Sequence, residues 1–178
     1  MAIFDLANTT KNFLSVYPNP HTSTATGATV DTAGFSSVLM TIDLSAEKDT
    51  LSNTVYQLVV MEHSDSSGSG FEAVTSTDVA NGFVATVNRA GPVAQGGVVL
   101  TVDGTGTASS SADGNHPKNP DTYGAVWSVG YIGAKRYVRG MVYLFGTHSN
   151  GTITGVNFIL GSPIHSSDTT LANLTALG

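Results

Sequence analysis

The chain contains no cysteine, so a disulfide scaffold, a thiolate zinc site and a cysteine nucleophile are excluded together. Charge is scarce as well. Asp, Glu, Lys and Arg make up 11% of the 178 residues, against about 25% in an ordinary soluble domain. Long surface helices built from Glu, Lys and Ala therefore lack their raw material. Positive charge is scarcer still: seven Lys and Arg stand against thirteen Asp and Glu, a net charge of −6. A nucleic-acid surface needs a cationic stripe, and these few, scattered cations do not supply one. Long apolar runs are missing too. Leu58-Val59-Val60-Met61 and Val98-Val99-Leu100 are far too short to cross a bilayer. The stretch from Met1 to Ala7 has neither the basic nor the apolar segment of a secretory leader. The expectation is a protein made in a cytoplasm that engages neither nucleic acid nor membrane. The sequons at Asn8, Asn150 and Asn173 then read as products of composition.

Hydroxyls and glycine take the place of charge: 42 residues are Ser or Thr and 20 are Gly. A chain this long can bury roughly two-thirds of its unfolded surface, enough for one domain without staples. The dominant hydrophobic period is two. In Val38–Leu44 the even positions are Val, Met, Ile and Leu, with Thr41 and Asp43 between them, the pattern of a half-buried strand. Val55–Glu62 is apolar on nearly both faces and reads as a central strand. Phe83–Val87, Gly97–Val102, Tyr123–Tyr131, Lys135–Phe145 and Thr152–Leu160 also read as extended, and Phe13–Tyr17 does so more weakly. About eight strands with no convincing helix predict an all-β sandwich with jelly-roll-like connections; an up-and-down barrel is the competing closure.

One connection invites a detailed register. Gly133-Ala134, between Ile132 and Lys135, fits a two-residue type II′ hairpin loop. That hairpin would set Tyr131 against Arg136, Val129 against Val138 and Trp127 against Gly140, with Tyr137 opposite Gly130 and Met141 opposite Val126.

A single domain is expected over residues 12–165, flanked by an N-terminal arm, 1–11, and a C-terminal arm, 166–178. Ile3, Phe4 and Leu6 at one end, and Leu171, Leu174 and Leu177 at the other, are large apolar residues in segments too short to fold alone. They are the candidate partner interface. The polar stretch from Asp103 to Asp121 is the longest predicted loop.

Catalytic motifs are not apparent. His21, His63, His116, His148 and His165 form no pair at zinc-ligand spacing. Glu62 and Asp65 flank a loop without the marks of an acid/base pair. Gly68-Ser-Gly70 and Gly104-Thr-Gly106 lack the lysine and the strand-to-helix setting of a phosphate loop. Lys135, Arg136 and Arg139 are the only basic cluster, and strand alternation would split them between two faces. They read as ion-pair partners. Trp127, Tyr131, Tyr137 and Tyr143 read as inward-facing aromatics, not as a sugar platform. No catalytic residue, metal ligand or cofactor is predicted.

The run Trp127-Ser-Val-Gly-Tyr-Ile-Gly-Ala-Lys-Arg-Tyr-Val-Arg139, with Ile159-Leu-Gly-Ser-Pro-Ile-His165, resembles a family of short tailed-phage and prophage virion structural proteins. The segment Val60-Met-Glu-His-Ser-Asp-Ser-Ser-Gly-Ser-Gly-Phe-Glu-Ala-Val74, followed by Asp78-Val79, is similar to the same family. The likeness spans roughly Val38 to His165, and the Ser-rich stretch before Tyr123 and the long tail depart from it. It implies a capsid decoration or cement protein, non-enzymatic, held on the outside of a virion. The implied partners are the major capsid protein and further copies of the chain, as a homotrimer. A receptor- or carbohydrate-binding sandwich of a head fibre or tail is the alternative, and it needs two aromatics exposed on one face. A polysaccharide hydrolase would need two carboxylates about 5–10 Å apart in a cleft.

Overall fold

The computed structural model describes residues 9–44, 54–80, 85–87, 95–102, 125–150 and 152–163. Every element among them is a strand: β1 (Thr10–His21), β2 (Ala25–Thr26), β3 (Val30–Asp31), β4 (Phe35–Leu44), β5 (Tyr56–Ser64), β6 (Glu72–Ala73), β7 (Ala85–Val87), β8 (Gln95–Val102), β9 (Ala125–Tyr131), β10 (Tyr137–Phe145) and β11 (Thr152–Pro163). They form two sheets. One has four strands in the order β1-β11-β4-β9. The other follows β2-β10-β5-β8-β7, with β3 also on β10 and β6 on β5.

The pairings identify the winding. β2 and β3 both lie antiparallel to β10, at Met141–Val142 and Tyr137–Val138, so together they act as one interrupted strand. With the short β6 and β7 set aside, eight strands remain, and they pair from the outside inwards: β1 with β11, β2/β3 with β10, β4 with β9, and β5 with β8. A long antiparallel ribbon folded over into two sheets in this way is a jelly roll.

Burial follows the period-two pattern. In β4, Val38, Met40, Ile42 and Leu44 face inward against Val156, Phe158 and Leu160 of β11. Across the sandwich they meet Val59 and Met61 of β5 and Val138 and Val142 of β10. All nine residues of β5 are buried, as expected for a central strand covered on both faces. Its other face carries a separate apolar cluster of Tyr56, Leu58, Val60, Val98 and Met141, joined by Tyr143 and Phe145. The Tyr56 and Phe145 rings stack there with centroids 4.8 Å apart.

β1 is longer than its weak pattern suggests. It runs past Pro18 and Pro20 as an edge strand, with register shifts between Leu14 and Val16 and between Val16 and Asn19. Proline is tolerated here because an edge strand has one side with no ladder to maintain. At the first shift Ser15 turns toward the other sheet. Its hydroxyl donates to the Ala28 carbonyl (2.9 Å) and accepts from the Gly140 amide (3.1 Å).

The Gly133-Ala134 hairpin does not form. β9 pairs with β4 in the first sheet, with Trp127 opposite Ile42, whereas β10 pairs with β5 in the second, with Gly140 opposite Met61. Ile132–Arg136 is therefore a crossover between sheets. The physical reason is that β4 and β5, distant in sequence, claim β9 and β10 for different sheets; the local backbone agrees, since a type II′ loop needs a positive φ at its first residue and Gly133 is not among the glycines that have one. A ring does lie over this glycine, but it belongs to Tyr131, two residues earlier.

Candidate functional site

The densest group of ionisable side chains among the described residues gathers where this crossover leaves the four-stranded sheet. His63, 5% exposed, comes from the end of β5. Its Nδ1 lies 3.1 Å from the Tyr131 hydroxyl, and its Nε2 lies 3.4 Å from Glu72 Oε1. Lys135 Nζ also pairs with Glu72. The Tyr131 hydroxyl accepts from the Lys135 amide and faces the Lys135 carbonyl as a donor, each at 3.1 Å. Asp78 completes the corner. Its backbone carbonyl accepts from the Ile132 and Gly133 amides (2.7 and 3.1 Å), and its carboxylate accepts from the Thr75 amide and hydroxyl (2.8 and 2.7 Å).

Electrostatics make this corner a fastener. Burial, with Asp78 and Asp65 nearby, pushes the Tyr131 phenol up to about 12, so it stays protonated and serves as a hydrogen-bonding hub. Glu72 is held below its ordinary value by Lys135 first and by His63 second. For Asp78, burial acts upward, yet the Thr75 hydrogen bonds outweigh it and the net shift is downward. Replacing Tyr131 with Phe removes the partner of His63 Nδ1 and of both backbone groups of Lys135. Unsatisfied buried polar groups cost about 1–3 kcal/mol each. With some relaxation the expected loss is about 2–3 kcal/mol, read from the urea unfolding midpoint.

The basic cluster is consumed in pairs. Arg136 donates to both carboxylate oxygens of Asp31, Nε at 2.9 Å and NH2 at 2.7 Å. Arg139 donates to Glu62 from Nε at 2.7 Å and stacks over Phe71, 4.1 Å from its centroid. These pairs join the end of the crossover to β3 and β10 to β5. The Arg136 hydrogen bonds hold the Asp31 carboxyl below the usual carboxylate range. A carboxyl depressed in the folded state contributes stability above its unfolded value, about 3.9, and loses it as pH falls through the folded value. Both partners are well exposed, so the contribution is under about 1 kcal/mol. Thermal melts between pH 5 and about pH 2.5 should show a shallower decline for Asp31→Asn than for the parent.

The remaining candidates fall into place around these pairs. His21 Nε2 lies 3.0 Å from the Tyr17 carbonyl and 3.1 Å from that of Thr154, and His148 Nε2 lies 3.0 Å from the Phe145 carbonyl. No three His, Asp or Glu among the described residues are grouped to hold a metal ion. Tyr131 is buried, Trp127 packs half-buried against the core, and Tyr143 joins the second apolar cluster. Tyr137 lies beneath the Arg136 guanidinium. Ile3, Phe4 and Leu6, and Leu171, Leu174 and Leu177, lie outside the described residues, as do His116, His165 and the 103–121 stretch.

Sequence reasoning missed the apolar residues at the surface of the four-stranded sheet. Val126 and Tyr17 are 72% and 73% exposed, and Leu14 and Leu39 are also solvent-facing. Leu39 pairs with Ile159 and Gly130, and Val126 pairs with Asp43, whose carboxylate accepts from Asn157 (2.8 Å). The outward row positions Leu39, Thr41 and Asp43, with their neighbours on β9 and β11, carry the one charge of Asp43. Only the odd positions of β4, read as the outward set, signalled this face.

The segments behind the resemblance, Val60–Val74 with Asp78–Val79 and Trp127–Arg139, meet at this corner: Val79 bridges Tyr131, and the Ala80 amide donates to the Gly130 carbonyl (2.8 Å). Comparison with known proteins adds no relative: no family model, curated protein or solved structure matches the chain.

Proposed function

We propose that this chain is a non-enzymatic virion structural protein that binds the outer surface of a tailed-phage capsid and stabilises it. The observation that carries the reading is the jelly-roll pairing of β1 with β11, β2/β3 with β10, β4 with β9 and β5 with β8. This architecture recurs in viral capsid domains, although lectins and cupins share it, and a fold alone does not fix a function. Two further features favour the virion reading over a sugar-binding or hydrolytic one. The clustered ionisable groups are engaged with one another in pairs that fasten strands, and the four aromatics of the candidate platform pack inward or against neighbours. The partners are the major capsid protein and other copies of the chain, with a homotrimer as the assembly unit and the terminal segments 1–11 and 166–178 contributing apolar contacts.

The test uses capsids prepared without the protein. Incubation with the purified chain should bring it into the capsid pellet at saturable occupancy and raise the temperature at which the shells rupture. Deletion of residues 1–8, and separately of 168–178, should lower occupancy while the sandwich stays folded. A folded chain that never sediments with shells contradicts the proposal.

A further inference from the structure

The edges of the two sheets are not treated alike. β1 carries Pro18, Pro20 and two register shifts, the devices that stop a strand edge from recruiting another strand. The β2/β3 edge is interrupted, and β7 is three residues long. β9 has none of these protections. Its sequence, Ala-Val-Trp-Ser-Val-Gly-Tyr, has no charge and no proline and is rich in strand-forming residues.

Hydrogen-bond alternation shows which backbone groups of β9 point away from β4. The Gly130 carbonyl accepts from Ala80 and the Ile132 amide donates to Asp78, both on the side away from β4. Successive residues of an antiparallel strand alternate sides, so the amides and carbonyls of Val126 and Ser128 point the same way. No hydrogen bond of the described residues reaches them there. The cover provided by Asp78–Ala80 thus stops one residue pair short of two outward-facing positions, and both are exposed.

We propose that this edge pairs, antiparallel, with the same edge of a second copy of the chain about a two-fold axis at Trp127. Val126 then faces Ser128 of the partner subunit, and Ser128 faces the partner subunit's Val126. Each pair exchanges two backbone hydrogen bonds, and the two sheets continue as one. Charge steers a second copy to this edge and away from the rest of the surface. A chain of net charge −6 repels itself over most of its surface, but this strand is neutral, and Asp43, the charge opposite Val126, is engaged by Asn157. The pattern is also self-complementary, as a two-fold contact requires. Three residues of pairing span only about 10 Å, well short of the roughly 800 Å² per partner of a lasting dimer. The dimer is therefore weak, with a dissociation constant in the upper micromolar range, and becomes substantial where copies are concentrated. It is a contact between copies free in solution, separate from the homotrimer proposed for the chain on the shell.

Sedimentation equilibrium of the full chain across a wide concentration range, with emission from its single tryptophan followed in parallel, tests this directly. The parent should pass from monomer to dimer with a concentration-dependent change in Trp127 emission. Ser128→Pro removes an outward amide that no strand among the described residues uses, and Val126→Lys places a charge on the edge. Either should weaken dimerisation at least tenfold while circular dichroism stays unchanged; if the proline variant misfolds, the lysine variant decides. A parent that stays monomeric at the highest concentration overturns the inference. So does a dimer or trimer whose equilibrium the folded variants leave unmoved. Binding to capsids is a separate measurement, so loss of one result leaves the other readable.

Discussion

Replacement of Gly140 by Val is expected to cost at least about 3 kcal/mol, at or above the upper end of ordinary overpacking. Gly140 lies on the inner face of β10, opposite Met61. A Cβ placed there would stand 2.6 Å from Val156 Cγ1 and 3.2 Å from Met40 Cε. Both belong to the opposing sheet, and both are fully buried. The methionine tip can give way, but Val156 is β-branched and held between Val16 and Ile42. The sheets must therefore separate locally, which also strains the Ser15 hydrogen bond to the Gly140 amide. The hairpin register of the sequence reading predicts a similar penalty through Trp127. A double variant separates the causes: Val156→Ala should recover part of the loss in Gly140→Val, whereas a smaller residue at Trp127 should not. Urea unfolding of the four proteins supplies the numbers.

Gly97→Ala carries the second large effect, of similar size, and for a different reason. Gly97 has φ of 70° and lies within the register shift where β8 passes β7 between Ala85 and Val87. The left-handed conformation alone costs an alanine roughly 1–2 kcal/mol. Its Cβ would also stand 2.7 Å from the Met61 carbonyl oxygen and 3.2 Å from Ala73 Cα. Backbone atoms cannot rotate out of the way, so the bulge must open and weaken β6 and β8 together. Thermal unfolding should shift down by at least about 6–12 °C, on the scale of about 2–4 °C per kcal/mol for a chain of this length. A melt within a degree or two of the parent would show that the bulge relaxes without cost.

The sequence exposes those parts of the fold that depend on local alternation. Val38–Leu44 states its inward face in its even positions, and the doubly apolar Val55–Glu62 marks the central, wholly buried β5, which runs two residues further to Ser64. Strand partners are another matter. Period-two runs on either side of Gly133 fit a hairpin and a crossover equally well, because both need extended flanks. What decides is that β4 claims β9 while β5 claims β10, and these are contacts made by chain segments far away. The same limit applies to the corner around His63. Lys135, Arg136 and Arg139 are adjacent to one another in sequence, but their partners Glu72, Asp31 and Glu62 lie 63, 105 and 77 residues away. The ion-pair reading of the cluster was available from composition; the identity of each pair required the fold. The unprotected edge of β9 was equally hidden, since nothing in Val126-Trp127-Ser128 tells an edge strand from an interior one.

The most direct measurement of the central claim is the number of copies per purified particle, determined by quantitative mass spectrometry against the major capsid protein. A protein that coats and reinforces the shell must be present in hundreds of copies, in fixed proportion to the shell subunit. A dozen copies or fewer, or none after purification, would contradict the role and place the chain at a vertex, in a tail or outside the virion.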